Sequence, residues 1–267
     1  MNELTLQELK NIEFELLNVF DVFCKENNIK YYLSNGTLLG AVKYKGFIPW
    51  DDDIDLLIPR QDYDRMITLF QDSNQYRLFS FEKDAKYRFP FAKLCDMTTR
   101  KVEDGHNNGV DLGVNLDLFP LDAWENDGIA AKKEMKRIRN NMMFLLLTKS
   151  KKVDAPGRVK WVIKKILQVF CRMAGGGYFI KKIIKMSRNA EEKGSRYLGC
   201  KVWCVYGEKE IVPSDVFSET VEVEFEGKIF PAPRGYDLYL KRLYGEYTLD
   251  PPKEKQKTHH SFKAYRV

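Results

Sequence analysis

Residues 34–60 read SNGTLLGAVKYKGFIPWDDDIDLLIPR, and the reading of this stretch decides the fold. Ile54 to Ile58 is an apolar run with acids on one side and Pro59 on the other, the pattern of a buried strand. Asp51, Asp52, Asp53 and Asp55 stand directly before and within it. Side chains alternate along a strand, so Asp53 and Asp55 share one face, about 7 Å apart. Two such carboxylates repel unless a cation lies between them. Hard oxygen ligands favour Mg²⁺ or Mn²⁺. A run of acids is most often a solvated turn. Here the acids abut Ile54, Leu56 and Leu57 and lie between Trp50 and Pro59, packing that a solvated turn does not need.

Upstream, Ser34-Asn35-Gly36-Thr37 leads from a short strand candidate, Ile29 to Leu33, into a short helix, Leu38 to Tyr44. Free amides at such a helix start, with the Thr37 hydroxyl, suit a phosphate. A Gly-Thr pair alone is usually a plain turn. Its meaning comes from Gly36 lying 17 residues before Asp53. A phosphate loop followed by an Asp-x-Asp strand is an arrangement for phosphoryl transfer. A third carboxylate is expected on a neighbouring strand. Asp117, flanked by Leu116 and Leu118 in the otherwise buried-looking strand Val114 to Phe119 before Pro120, is the best choice, with Asp111 and Asp122 as competitors. Lys45, Arg60 and Lys93 are potential phosphate neighbours, although each type is more often an ordinary surface cation.

Farther out, Thr5 and Glu8 form a capping box ahead of Leu9, Ile12, Leu16, Val19, Phe20 and Phe23 at helical spacing. Arg60 to Gln71 reads as a helix, and Tyr76 to Phe81 and Pro90 to Cys95 as strands. Residues 30–120 therefore mix strands and helices around a sheet. From Gly128 to Lys193 the pattern is helical, divided by Pro156-Gly157 and Gly175-Gly176-Gly177 into three helices. Thr220 to Phe230 reads as a hairpin about Glu226-Gly227, and Arg234 to Tyr244 as a last helix before a polar tail. The expected organisation is a catalytic core at 1–127, a basic helical subdomain at 128–200, and a C-terminal hairpin, helix and tail at 201–267 that complete the active site.

The chain has 267 residues, ample apolar and aromatic content and five scattered cysteines. This argues against disorder and against a secreted disulfide framework, and points to a reducing cytoplasm. Cys200 and Cys204 lack a second Cys or His pair at zinc-finger spacing. The N-terminus does not read as a signal peptide, and the longest apolar run, Met142 to Leu147, is too short to span a bilayer. The net charge of +6 conceals an asymmetry: residues 129–200 hold 19 Lys/Arg against 4 Asp/Glu, net +15, which leaves −9 on the rest. An anionic partner for the basic part is implied. Nucleic-acid platforms interleave exposed aromatics with cations; this segment carries mainly aliphatics at helical spacing, so nucleic acid is not the expected partner. Residues 158–187 form two amphipathic basic helices. Their apolar faces, Val159, Val162, Ile163, Ile166, Val169, Phe170 and Met173, then Ile180, Ile183 and Ile184, either pack into the core or dock on the anionic inner face of the plasma membrane.

The run 34–60 resembles the signature of the LicD family of phosphotransferases, to which fukutin-related proteins are distantly similar. The resemblance continues at NLDLFPLD (115–122) and FPAPRGYDLYLKRLYGEY (230–247), followed by PP and HH. It implies an α+β (mixed α/β) nucleotidyltransferase-like fold, a mixed sheet flanked by helices with the basic helices as an insertion. It implies a transferase that moves a phospho-alcohol, commonly phosphocholine, from a CDP-activated donor to a hydroxyl of a teichoic acid, lipopolysaccharide or capsule precursor, free or lipid-linked. The rival within the fold joins NMP to a small molecule. The family's Gly-Ser/Thr and Asp-x-Asp motifs fall on Gly36-Thr37 and Asp53-Ile54-Asp55, with Thr here in place of Ser. The third acid falls best on Asp117. Asp53, Asp55 and Asp117 are thus the implied catalytic and Mg²⁺-binding residues. Donor contacts are expected from Gly36, Thr37, Lys45, Asp52, Arg60, Lys93, His259 and His260. The family also has histidines at the last two positions. Tyr236, Tyr239 and Tyr244 are expected to pack on the sheet rather than to cage a quaternary ammonium group.

Overall fold

The computed structural model describes residues 2–103, 107–190, 194–258 and 262–267, with the backbone alone at Lys255. In chain order the elements are α1 (Leu6–Glu26), β1 (Tyr32–Leu33), α2 (Asn35–Tyr44), β2 (Ile54–Pro59), α3 (Arg60–Leu69), β3 (Tyr76–Phe79), β4 (Ala92–Glu103) and β5 (Leu112–Ala123). There follow α4 (Gly128–Lys149), α5 (Arg158–Ala174), α6 (Gly176–Ser187), β6 (Tyr197–Gly199), β7 (Val212–Pro213), β8 (Thr220–Phe225), β9 (Lys228–Pro233), α7 (Tyr236–Tyr244) and β10 (Phe262–Arg266). The mixed α+β architecture is the expected one.

One sheet runs β1-β2-β5-β4-β10. The β2/β5 pair is parallel and its neighbours are antiparallel. β3 and β10 share one edge of β4, β3 from Lys93 to Asp96 and β10 from Thr99 to Glu103. Between them β4 bulges: the Thr99 hydroxyl donates to Asp96 O at 2.7 Å and accepts the Val114 N–H at 2.8 Å. α1 opens with the expected capping box, Thr5 Oγ1 accepting the Glu8 N–H at 3.3 Å and Glu8 accepting the Thr5 N–H at 2.9 Å. Its apolar stripe, Leu9, Ile12, Leu16, Leu17 and Phe20, is buried over the sheet. Each buried Leu or Ile contributes about 1.5–3 kcal/mol, so the stripe offsets part of the conformational entropy lost in ordering the helix.

Three sequence expectations need correction. β5 does not stop at Pro120 but continues to Ala123. Pairing with β4 ends at Leu118 and pairing with β6 begins at Asp122, so Pro120 lies where one flank of the strand has no ladder to lose. The polar tail, for which no element was expected, forms the edge strand β10 at Phe262–Arg266. The three basic helices are present, but of the two in 158–187 only α6 packs its apolar stripe into the core, burying Phe179, Ile180 and Ile183 against α4. The apolar stripe of α5 faces outward. The excursion α4–α6 leaves the sheet at Ala123 and returns at Tyr197, where the Trp124 N–H donates to Tyr197 O at 2.9 Å. Among the described residues no helix is long and apolar enough to cross a membrane.

Candidate active site

The loop from α2 to β2 carries the acids and is held from two sides. Buried Lys10 on α1 donates to Ile48 O and Pro49 O, each at 3.0 Å. Glu226, at the tip of the β8–β9 hairpin, accepts the Phe47 N–H at 3.0 Å. Gly40 permits the close return of this loop: a Cβ there would stand 2.4 Å from Gly46 O.

β2 then delivers Asp55 directly opposite Asp117 on β5, so the parallel register alone sets these two carboxylates side by side. Asp55 is braced at three points. Its N–H donates to Thr37 Oγ1 at 2.8 Å, its carboxylate accepts from Asn35 Nδ2 at 3.0 Å, and its carbonyl accepts the Ser34 N–H at 3.1 Å. The Tyr239 hydroxyl fixes Asn35 by donating to its Oδ1 at 2.8 Å. Burial first, then the charges of Asp53 and Asp117, push the Asp55 carboxyl well above the usual carboxylate range, against the Asn35 hydrogen bond. Asp117 accepts from Lys93 Nζ and, at 2.6 Å, from Asn115 Nδ2. Asp51, Asp52 and Asp53 bring carboxylate oxygens within 4.8 Å of one another. Such an acid density is costly without counter-charge, and its oxygens are of the class that Mg²⁺ and Mn²⁺ prefer.

These groups form the floor of a cavity of about 690 Å³. Gly36, Asp51, Asp53, Asp55 and Asp117 line it, and a Cβ on Gly36 would stand 2.6 Å from Asp51 Oδ2. The walls are aromatic, lined by Tyr44, Trp50, Trp203, Tyr206, Tyr244 and Tyr247. Tyr206 and Tyr244 meet edge to face at 5.5 Å, their hydroxyls 3.0 Å apart. Lys43 is a lining cation, and it pairs with Asp250.

The expected residues separate accordingly. Gly36, Asp53, Asp55 and Asp117 meet at the cavity. Of the three rivals for the third acid, Asp111 is exposed near Arg100 and Asp122 is held in a buried bidentate pair with Arg60 at 2.7 and 2.8 Å. Arg60 therefore sits at the far end of β2 from the cavity, committed to Asp122. Lys45 stands in left-handed conformation after α2 and does not line the cavity. Lys93 is buried beneath Asp117, and Thr37 is buried behind Gly36 with its oxygen given to Asp55. Asp52 is buried beside Asp51 and Asp53. His259 and His260 lie outside the described residues. Of the three tyrosines on α7, Tyr239 is buried, whereas Tyr244 reaches the cavity.

Sequence reasoning missed the wall from 203 to 210, where the nearest local signal is the Cys200–Cys204 spacing. Both thiols are buried and free, and Cys204 Sγ donates to Cys200 O at 3.3 Å. Glu210, also lining the cavity, accepts the Tyr206 N–H at 2.8 Å. Burial pushes its carboxyl up to about 8, against that hydrogen bond and Arg139. A folded value above the unfolded 4.5 means that the stabilisation is full below about 4.5 and is lost as pH rises through about 8. Glu210→Gln mimics the protonated carboxyl, so the variant should lose less urea stability than the parent between pH 5 and pH 8. Parallel pH profiles for the two proteins would refute this assignment.

Comparison with known proteins adds an independent line. The family described as LicD/FKTN/FKRP, nucleotidyltransferase domain, matches residues 28–146. The chain is 32% identical over 275 aligned positions to the lipopolysaccharide cholinephosphotransferase LicD of Haemophilus influenzae, covering 99% of each chain. It is 46% identical over 59 residues to an uncharacterized protein of Rickettsia prowazekii, 22% of this chain and 20% of the other. It is 31% identical over 114 residues to mannosyltransferase regulator 4 of Saccharomyces cerevisiae, 40% of this chain and 9% of the other.

Proposed function

The chain belongs to the LicD family, and on that premise we propose that it is a phosphotransferase moving phosphocholine from CDP-choline to a hydroxyl of lipopolysaccharide or a related cell-surface glycan. The observation that carries the reading is the cavity itself, four aspartates on the floor beneath aromatic walls. An anionic diphosphate cannot approach Asp51, Asp53, Asp55 and Asp117 without cations. A quaternary ammonium group, by contrast, is suited to Tyr, Trp and carboxylate neighbours.

Asp53, Asp55 and Asp117 are the residues we assign to Mg²⁺ or Mn²⁺, with Asp51 and Asp52 beside them. A bound ion would neutralise the donor diphosphate and the charge that gathers on departing CMP. The protein's own part is orientation. Asn35 and Thr37 hold Asp55, Lys93 and Asn115 hold Asp117, and Gly36 leaves room for Asp51. The acceptor oxygen forms a bond to the phosphorus that bears choline, the P–O bond to CMP breaks, and the hydroxyl proton passes to a carboxylate, for which we choose Asp117.

The test is incubation with CDP-choline, CDP-ribitol or CDP-glycerol, Mg²⁺ and lipopolysaccharide, teichoic acid or capsule acceptors, with the nucleotide product analysed. CMP release that depends on acceptor and is greatest with CDP-choline is the expected result. Pyrophosphate release from CTP, with no CMP from any CDP-alcohol, would instead identify a nucleotidyltransferase.

A further inference from the structure

α5 is amphipathic in the inverse sense for a globular protein. The residues it buries are Gln168 and Cys171 alone. Gln168, 1% exposed, donates from Nε2 to Leu147 O at 3.1 Å and to Ser150 O at 2.9 Å, and Arg172 donates to Ser150 O at 2.7 Å. These are carbonyls at the C-terminal end of α4, which a helix leaves without intrahelical partners. α5 thus spends its polar stripe on capping α4. The opposite stripe recurs at i, i+3/i+4 and i+7 and is left outside: Val159 is 74% exposed, Ile163 61%, Ile166 52%, Phe170 64% and Met173 78%. Seventeen residues make a rod about 25 Å long. A contiguous apolar strip of that length facing water marks an interaction face.

Charge identifies the occupant. Residues 155–187 contain eight cations and no acid. Lys160, Lys181, Lys182 and Lys185 are all exposed. Trp161 and Tyr178 are exposed at 44% and 51%, residues suited to the boundary between hydrocarbon and headgroups. A second copy seated on this face would oppose one all-cationic segment to another. An anionic lipid surface satisfies both the apolar stripe and the cations, and the helix needs only to lie in the interface plane.

We propose that α5, with the exposed cations of α6, docks the protein on an anionic bilayer. The inference is independent of the phosphotransfer reading, since it is scored without activity. The experiment is sedimentation of the full chain with vesicles of phosphatidylcholine alone or of equal parts phosphatidylcholine and phosphatidylglycerol. Binding should require phosphatidylglycerol. Ile166→Ser/Phe170→Ser should weaken it roughly tenfold or more, as should Lys181→Glu/Lys182→Glu, because each near-surface cation contributes about fivefold. All four side chains are exposed, so circular dichroism and the melting temperature should be unchanged. Failure of the parent chain to pellet with anionic vesicles at low salt would overturn the proposal. So would folded variants that bind like the parent, or concentration-dependent dimerisation that the serine variant abolishes.

Discussion

Asp53→Asn should lower acceptor-dependent CMP release by about a hundredfold or more, with no loss of thermal stability. Asparagine keeps the volume of the side chain and removes its charge. At the cavity floor the charge of Asp53 is the first cause, after burial, that pushes the Asp55 carboxyl up. Removing it relieves repulsion in the folded state, so the melting temperature should stay level or rise while turnover collapses. That opposition is the signature of a functional carboxylate. A residue holding the fold would lose both together. Turnover within about threefold of the parent would take Asp53 out of the proposed ligand set.

Lys93→Met should be the most destabilising of the changes considered, by about 3–5 kcal/mol. Lys93 is 4% exposed, and its ammonium donates to Asp117. Burial alone would favour the neutral amine, but the charge and hydrogen bond of Asp117 outweigh it and raise the lysine above its ordinary value. The sign follows: this stabilisation is full below about pH 10 and is lost only above it. Methionine fills the space beside the Phe89 and Phe91 rings, which lie 4.9 and 5.2 Å from the ammonium. It leaves Asp117 beside Asp55 without its ion-pair partner. Lys93→Met/Asp117→Asn should recover part of the loss, and a double-mutant cycle in urea measures the coupling. A single-variant cost below about 1 kcal/mol would show that the pair is not a structural necessity.

The parts of this fold that were legible in the sequence are those specified locally. The Thr5–Glu8 box, the turn at Glu226-Gly227 and the glycine breaks in the helical region each encode their geometry within a few residues. The Asp-x-Asp strand was legible for the same reason. The choice among Asp111, Asp117 and Asp122 was not settled locally, because it depends on the register of β5 against β2. Trp203, Tyr206 and Glu210 carried no local signal at all. They become cavity residues only because β6 and β7 return the chain to the sheet. FKAYR, the β10 segment, has too little apolar alternation to declare itself without β4 beside it. For α5 the period was visible but the sense was not, since helical spacing shows which residues share a stripe and not what that stripe faces.

The adjoining ends of the α4–α6 excursion have a meaning for descent. A segment that departs at Ala123 and rejoins at Tyr197, with hydrogen bonds such as that from the Trp124 N–H to Tyr197 O joining its flanks, can be lengthened, shortened or exchanged at small entropic cost to the sheet. The acids of β2 and β5 belong to the sheet itself and are untouched by such changes. On the membrane-docking proposal, selection can rework the docking face through one cassette while the aspartate floor of the cavity stays with the sheet.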